Sequence, residues 1–294
     1  MLGRLELIAV REPAVSVVGG RSVLRDVINP VGMTGDAEPE AVLHGGRYRV
    51  RVIDGAEGAL VHADLQQAQR LRGLCFGRPG LDAEALDARC RHLLVEDQAS
   101  GRLVCCCRLL LLPDGAHLGV SYSAQRYDLT QLQSRTGPLL ELGRFCIHPD
   151  WQDADILRLA WGALTAFVDQ HGVELLFGCS SFRGTDPAAY SQALALLRLR
   201  HQAPPGQGVG VRAAEVLELA ALDLPRVDGK QALQQMPPLL RSYLMMGGWV
   251  SDHVVIDRDL NTLHLFTGVE IAAIPAARKR LLRAVAGGFA SHGA

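Results

Sequence analysis

Glu141 is a carboxylate in an apolar setting. It lies between Leu140 and Leu142 in the run Leu139–Ile147, which reads as a central β-strand. A carboxylate there is costly unless it is paired or has chemistry to perform. The strand period places Glu141, Gly143 and Phe145 on one face and Leu142, Arg144 and Cys146 on the other. Gly143 allows close approach of a second backbone or marks a bulge. Two readings of Glu141 stand level on spacing alone: a general base held in a desolvated site, or half of a buried Glu–Arg pair, for example with Arg108.

Other chemical signals fail on their spacing. Gly206-Gln207-Gly208-Val209-Gly210 is followed by Val211 where a dinucleotide fingerprint needs glycine, and it follows a helix instead of joining strand to helix. Gly178-Cys179-Ser180-Ser181-Phe182 has Phe182 where a nucleophile elbow needs glycine. Cys146 and His148 share a strand face, but a core cysteine beside a strand-end histidine is the simpler reading. No metal-ligand spacing is present, and the consecutive Cys105, Cys106 and Cys107 point to alternate faces. Neither a metal nor a bound cofactor is expected.

The elements that must position Glu141 follow from pattern and punctuation. Tyr48, Val50 and Val52 alternate with arginines as in a half-buried strand. His62–Phe76 has a helical stripe, and Asp82–Arg89 reads as a short helix. His92–Glu96 and Leu103–Leu112 read as strands turning at Ser100-Gly101. Pro113–Pro138 is a connection long enough to be a lid. Past Glu141, Asp153 caps a helix ending at Gly172, Leu175–Cys179 is a strand, and Asp186-Pro187 opens a helix to about Arg200. Pro237-Pro238 opens Leu239–Met246, and Trp249–Ile256 with Thr262–Val269 form a hairpin around Asp257–Asn261. The fold class is α/β, a mixed central sheet with helices on both faces. The expected divisions are an N-terminal extension (1–45), one catalytic domain (46–275) and a basic C-terminal tail (276–294).

The chain has 294 residues, 48% of them hydrophobic and 21% charged, with a formal net charge of −1. That composition excludes a disordered chain and a dedicated nucleic-acid binder. The seven cysteines lack a CxxC pair, and no apolar run reaches the roughly 18 residues of a membrane span. A reduced, cytoplasmic protein is expected, with peripheral contact with the inner membrane open.

Several segments share a family resemblance. Glu141–Pro149, Leu176–Phe182 with Gly184–Pro187, Pro237–Leu244 and Ile256–Thr262, in this order between about Arg47 and Val269, resemble the bacterial L-ornithine N-alpha-acyltransferases, members of the GNAT-like acyltransferases. The resemblance implies transfer of a 3-hydroxyacyl chain from acyl carrier protein to the α-amine of L-ornithine, giving lyso-ornithine lipid. More distantly, Arg72 with Phe76, Glu84 with Asp87, Arg108, and Glu141 with Arg144 are similar to the charged set of acyl-homoserine lactone synthases, Glu84 standing for an aspartate. The sequence departs from CoA-binding GNAT enzymes at Trp151–Ile156. The glycines of a pyrophosphate turn are missing there, and Asp153 and Asp155 would repel that group. A carrier-protein thioester is therefore the expected co-substrate.

On this resemblance Glu141 is the base that deprotonates the α-ammonium, and the backbone N–H groups of Gly143, Arg144 and Phe145 face the oxyanion. Arg144 or Arg108 would take the amino-acid carboxylate, with Arg72 beside them, and Asp87 or Asp257 the side-chain ammonium. Trp161, Phe167, Phe177 and Phe182 are candidates for an acyl groove or plain core. Arg278, Lys279, Arg280 and Arg283 would meet an acidic carrier protein or anionic lipid. The alternatives are the same chemistry on lysine, glutamine or glycine, or a non-catalytic acyl or carrier-protein binding module.

Overall fold

The computed structural model describes residues 43–56, 59–151 and 153–290. The expected N-terminal extension lies outside them, except its last residues. Among the described residues ten strands form one sheet. They are β1 (Leu43–Gly45), β2 (Tyr48–Asp54), β3 (Arg91–Asp97), β4 (Arg102–Leu112), β6 (Leu139–Ile147), β7 (Leu175–Arg183), β9 (Val216–Glu218), β10 (Trp249–Val250), β11 (His253–Asp257) and β12 (Thr262–Glu270). The order is β1-β2-β3-β4-β6-β7-β12-β11-β9, with β10 also on β12. β5 (Tyr127–Asp128) and β8 (Gly210–Val211) form a small separate ribbon.

The helices cover both faces. Helix α1 (Ala59–Cys75) packs Ala68 and Leu71 against Cys106 and Cys146 on one face. On the other, α2 (Ala154–Gln170) sets Ile156, Leu159, Leu164 and Phe167 against Leu140 and Leu142. Asp153 caps α2 by accepting from the Asp155 N–H. Helices α3 (Ser191–Arg200), α4 (Gly229–Gln235) and α5 (Pro238–Met245) share that face, with Leu194, Ala232 and Leu240 in one cluster with Leu263 and Leu265. Helix α6 (Ala276–Ala290) lies on α2: Leu282 joins its core cluster and Arg283 forms two hydrogen bonds to Asp169. The long connection 113–138 covers the α1 face with 3-10 turns at Gly115–Val120, Ser123–Gln125 and Thr130–Leu132, burying Leu118, Tyr127 and Leu132.

Two features of β6 build the site. First, β6 and β7 are parallel neighbours that pair only from Leu139 to Glu141. Gly178 sits so close to β6 that a Cβ there would lie 2.3 Å from the Leu142 carbonyl oxygen. Beyond this root the strands run on to Ile147 and Arg183 with no further ladder between them, forming a fork. Second, β6 carries a bulge opposite β4. Arg108 pairs with Gly143 and Cys106 with Cys146, so Arg144 and Phe145 together oppose Cys107. Arg144 takes a left-handed backbone, φ 52°, at a cost of about 1 kcal/mol.

The bulge corrects the expected alternation. Leu139 and Glu141 face the α1 side, and so do Arg144 and Cys146, while Leu140, Leu142, Phe145 and Ile147 face α2. Gly143, opposite Arg108, keeps the face of Glu141, but Phe145 beyond it does not. One extra residue inverts the parity of all that follows it.

Candidate active site

A buried cluster of charged side chains lies on the α1 face, at the fork's root. Arg72 from the last turns of α1 donates from Nε to Asp82 (2.9 Å) and from Nη1 to Asp87 (2.8 Å). Arg108 of β4 donates from Nη1 to Glu84 (2.6 Å) and Asp87 (3.1 Å). Arg144 of β6 donates from Nε to Asp82 (3.0 Å) and from Nη2 to Glu84. The three acids come from the segment after α1, where Glu84 and Asp87 form a reciprocal cap on the 3-10 turn Ala85–Arg89. Gln69 completes Asp87, and Arg78 reaches Asp82 from the rim. Three arginines thus meet three carboxylates, and the buried charge nearly cancels.

Burial pushes the carboxyls of Asp82 and Asp87 upward, and the arginines outweigh it. Arg72, bonded directly to Asp87, brings that group down to about 2; Arg144 and Arg72 hold Asp82 below the usual range. Both oxygens of Asp87 are thereby committed to protein donors. Arg144 spends its Nε and Nη2 on acids. Arg108 keeps Nη2 without a partner among the described residues, beside Gly143. Arg72 Nη2 is likewise unpartnered.

Glu141 stands at the same level, 3% exposed. Its Oε2 accepts the Tyr122 N–H at 2.9 Å and its Oε1 the Ser123 N–H at 2.7 Å. These amides open the 3-10 turn Ser123–Gln125, and they fix the orientation of the carboxylate. The same bonds tie the long connection to β6. Tyr122 extends the site. The Arg144 guanidinium lies 4.9 Å from its ring centroid, and its hydroxyl donates to Asp257 at 3.3 Å. Asp257, buried at the end of β11, also receives Arg126 Nη2 at 3.3 Å and the Leu260 N–H at 3.0 Å.

The structure therefore brings Arg72, Asp87, Arg108, Glu141 and Arg144 together, and places Asp257 across Tyr122 from them. Phe76 lies under the Arg144 guanidinium at 5.6 Å. The basic residues Arg278, Lys279, Arg280 and Arg283 are elsewhere, on α6 across the sheet. Trp161 and Phe167 are in the α2 core, Phe177 packs on the connection side and Phe182 under α3. Reading the sequence did not single out Asp82, Tyr122 or Arg126. Tyr122 carried one signal, its place in a connection too long for a plain turn. Among the described residues no group of His, Cys, Asp and Glu is arranged to hold a metal ion.

A family model for an acetyltransferase (GNAT) domain matches residues 68–162, from α1 through the first half of α2. An L-ornithine N(alpha)-acyltransferase of Rhodobacter capsulatus is 35% identical over 232 residues, 73% of this chain and 86% of that protein. One of Rhizobium meliloti is 30% identical over 246 residues, 81% of this chain and 83% of that protein. Among solved structures, an N-acyl amino acid synthase from uncultured soil microbes matches 77% of this chain and 93% of its own, with a TM-score of 0.44 and 9% identity. By its identity to the first two of these relatives over most of their length, the chain belongs to the L-ornithine N(alpha)-acyltransferase family.

Proposed function

We propose that this protein acylates the α-amine of L-ornithine with a 3-hydroxyacyl chain delivered as an acyl carrier protein thioester, giving lyso-ornithine lipid. The observation that carries the reading is the fork itself. Its two unpaired strand edges give a thioester arm a path to Glu141, and Asp257 lies on the acceptor side. The thioester supplies its own activation, so no resident cofactor is assigned.

In this reaction the α-ammonium first loses a proton to Glu141, which the two amides orient. The free amine attacks the thioester carbonyl. The amides of Gly143 to Phe145, at the bulge, are the assigned donors to the tetrahedral oxyanion. The C–S bond then breaks, the carrier's thiolate leaves, and the nitrogen's remaining extra proton neutralises it. The paired arginines and acids form a rigid wall that fixes the bulge, and Arg108 Nη2 is the donor within it that remains for a substrate.

Donor choice follows from α2. Its N-terminus is already capped by Asp153 and carries Asp155, which suits a single phosphodiester better than a pyrophosphate. The α6 basic patch contacts α2 near Asp169, some 15 residues from that N-terminus, or about 22 Å along the helix. That separation favours anionic lipid over the carrier protein as its partner, and hence a cytoplasmic protein in peripheral contact with the inner membrane. No helix among the described residues is long and apolar enough to cross a membrane.

The deciding experiment is thiol release from 3-hydroxyhexadecanoyl-acyl carrier protein, with and without ornithine, with mass analysis of the lipid. Ornithine-dependent release and an N-acyl-ornithine product are expected. Release only with another amino acid reassigns the acceptor, and binding of the carrier without turnover on any acceptor overturns the enzyme reading.

A further inference from the structure

Beside Asp257 the α1 face of β11 and β12 carries buried polar atoms with no hydrogen-bond partner among the described residues. Thr262 lies directly opposite Asp257 in the ladder, and its Oγ1 is unpartnered. Two residues on, on the same face, His264 is 1% exposed and its Nε2 is unpartnered. The other ring nitrogen is committed. Tyr127 Oη lies 3.0 Å from the His264 carbonyl oxygen and 2.9 Å from Nδ1. A carbonyl only accepts, so the single phenolic proton belongs to it, and the phenol oxygen accepts from Nδ1–H. That tautomer leaves a bare lone pair on Nε2. Burial holds the imidazole down to about 4, which keeps it neutral near pH 7.

A carboxylate, a hydroxyl and an imidazole lone pair thus line one buried patch. Its way out is on β7. Ser181 pairs with His264 and Arg183 with Thr262, both on the same face, and both are exposed. The patch therefore opens at the β7 edge of the fork. Two of these acceptors, Thr262 Oγ1 and His264 Nε2, are buried without donors among the described residues, which is costly. Asp257 beside them has lone-pair capacity beyond its bonds to Tyr122, Arg126 and Leu260. The group that answers two bare acceptors next to a carboxylate is one with three N–H donors, an alkylammonium.

We infer that Asp257, Thr262 and His264 form the subsite for the distal ammonium of the acceptor, and so select a diamino acid over its neutral isostere. The inference rests on the reading of the chain as an amino-acid N-acyltransferase. Asp257 supplies the charge, Thr262 and His264 the directional acceptors.

The test compares L-ornithine with L-norvaline, which has the same carbon chain without the ammonium, in wild type, Thr262→Val and Thr262→Ser. Thr262→Val deletes a hydroxyl that bonds nothing among the described residues, so its thermal midpoint should not fall. It should raise the KM for ornithine about tenfold with kcat retained, and leave norvaline unchanged, while Thr262→Ser stays near wild type. An unchanged KM for ornithine, or equal losses on both acceptors, overturns the subsite. Wild type that acylates ornithine while the variants behave so leaves the acyltransferase reading standing. Wild type that acylates no amino acid removes both.

Discussion

Glu141 and Arg144 are three residues apart on β6 yet face the same side of the sheet, because the bulge inserts one residue between them. Tyr122 bridges the pair: its backbone N–H bonds Glu141 and its ring lies beneath the Arg144 guanidinium. The consequence is mutual dependence. Arg144 keeps its strained backbone because Asp82 and Glu84 hold its side chain. Arg144→Ala should therefore take one of three arginines from Asp82, whose side chain is fully buried and keeps Arg72 and Arg78, at a cost of roughly 1–3 kcal/mol. Urea unfolding at neutral pH measures it. A loss below about 1 kcal/mol would show that the network does not hold the bulge.

Glu141 has an anchoring and a proposed catalytic role, and one variant separates them. Glu141→Gln offers one acceptor oxygen to two amides, so stability should fall by about 1–3 kcal/mol. If Glu141 is the base, kcat should drop a further ~10²–10⁴-fold in protein that is still folded, with donor binding retained. Folded Glu141→Gln with kcat within a few-fold of wild type would reduce Glu141 to an anchor.

Stability should also depend on acid pH through Asp87. Its folded carboxyl lies near 2, against about 3.9 in an unfolded chain. A depressed carboxyl adds stability above the unfolded value and loses it as pH falls through the folded one. The contribution, on the order of 2 kcal/mol, is thus present above about pH 5 and lost between roughly pH 4 and 2. Urea midpoints across that window should fall steeply in wild type and less steeply in Asp87→Asn, which starts lower. Parallel slopes would refute the assignment.

How much of this was legible beforehand depends on the range of each interaction. Leu139–Ile147 reads as a strand with the observed ends, and Asp153 as a helix cap, because local pattern and punctuation determine both. The face of Arg144 was not legible. Alternation assumes regular backbone, and the bulge places a non-glycine residue at positive φ. The partners of Arg144 lie 60 and 62 residues away, a distance no periodicity reports. The unpartnered atoms of Thr262 and His264 were equally invisible: each is an ordinary residue of a buried strand until the fold places it beside Asp257. Composition likewise marked α6 as basic without showing that Leu282 buries itself on α2.

The acidic start of α2 should govern donor choice. Asp153 and Asp155 cap and crowd the helix end, so the carrier thioester should exceed the CoA thioester of the same chain in kcat/KM. Asp155→Asn removes a charge without removing the cap, and should raise CoA use several-fold while leaving carrier use within about twofold. Equal effects on both donors would place the pyrophosphate elsewhere.

The basic residues of α6 divide by what they already touch. Arg283 is spent on Asp169 and Lys279 on the Ala272 carbonyl, and Arg280 is exposed. Arg278→Glu with Arg280→Glu should weaken binding to vesicles containing anionic lipid by roughly 1 kcal/mol for each charge removed, and more for reversal. Turnover with soluble carrier thioester should stay unchanged, because the patch lies about 22 Å along α2 from the helix N-terminus assigned to the donor. Arg283→Ala should instead cost stability, within the ~0–1 kcal/mol of an exposed pair. A double reversal that keeps vesicle binding but raises the KM for the carrier would move the patch from the lipid surface to the protein partner, and would require the carrier to span that helix.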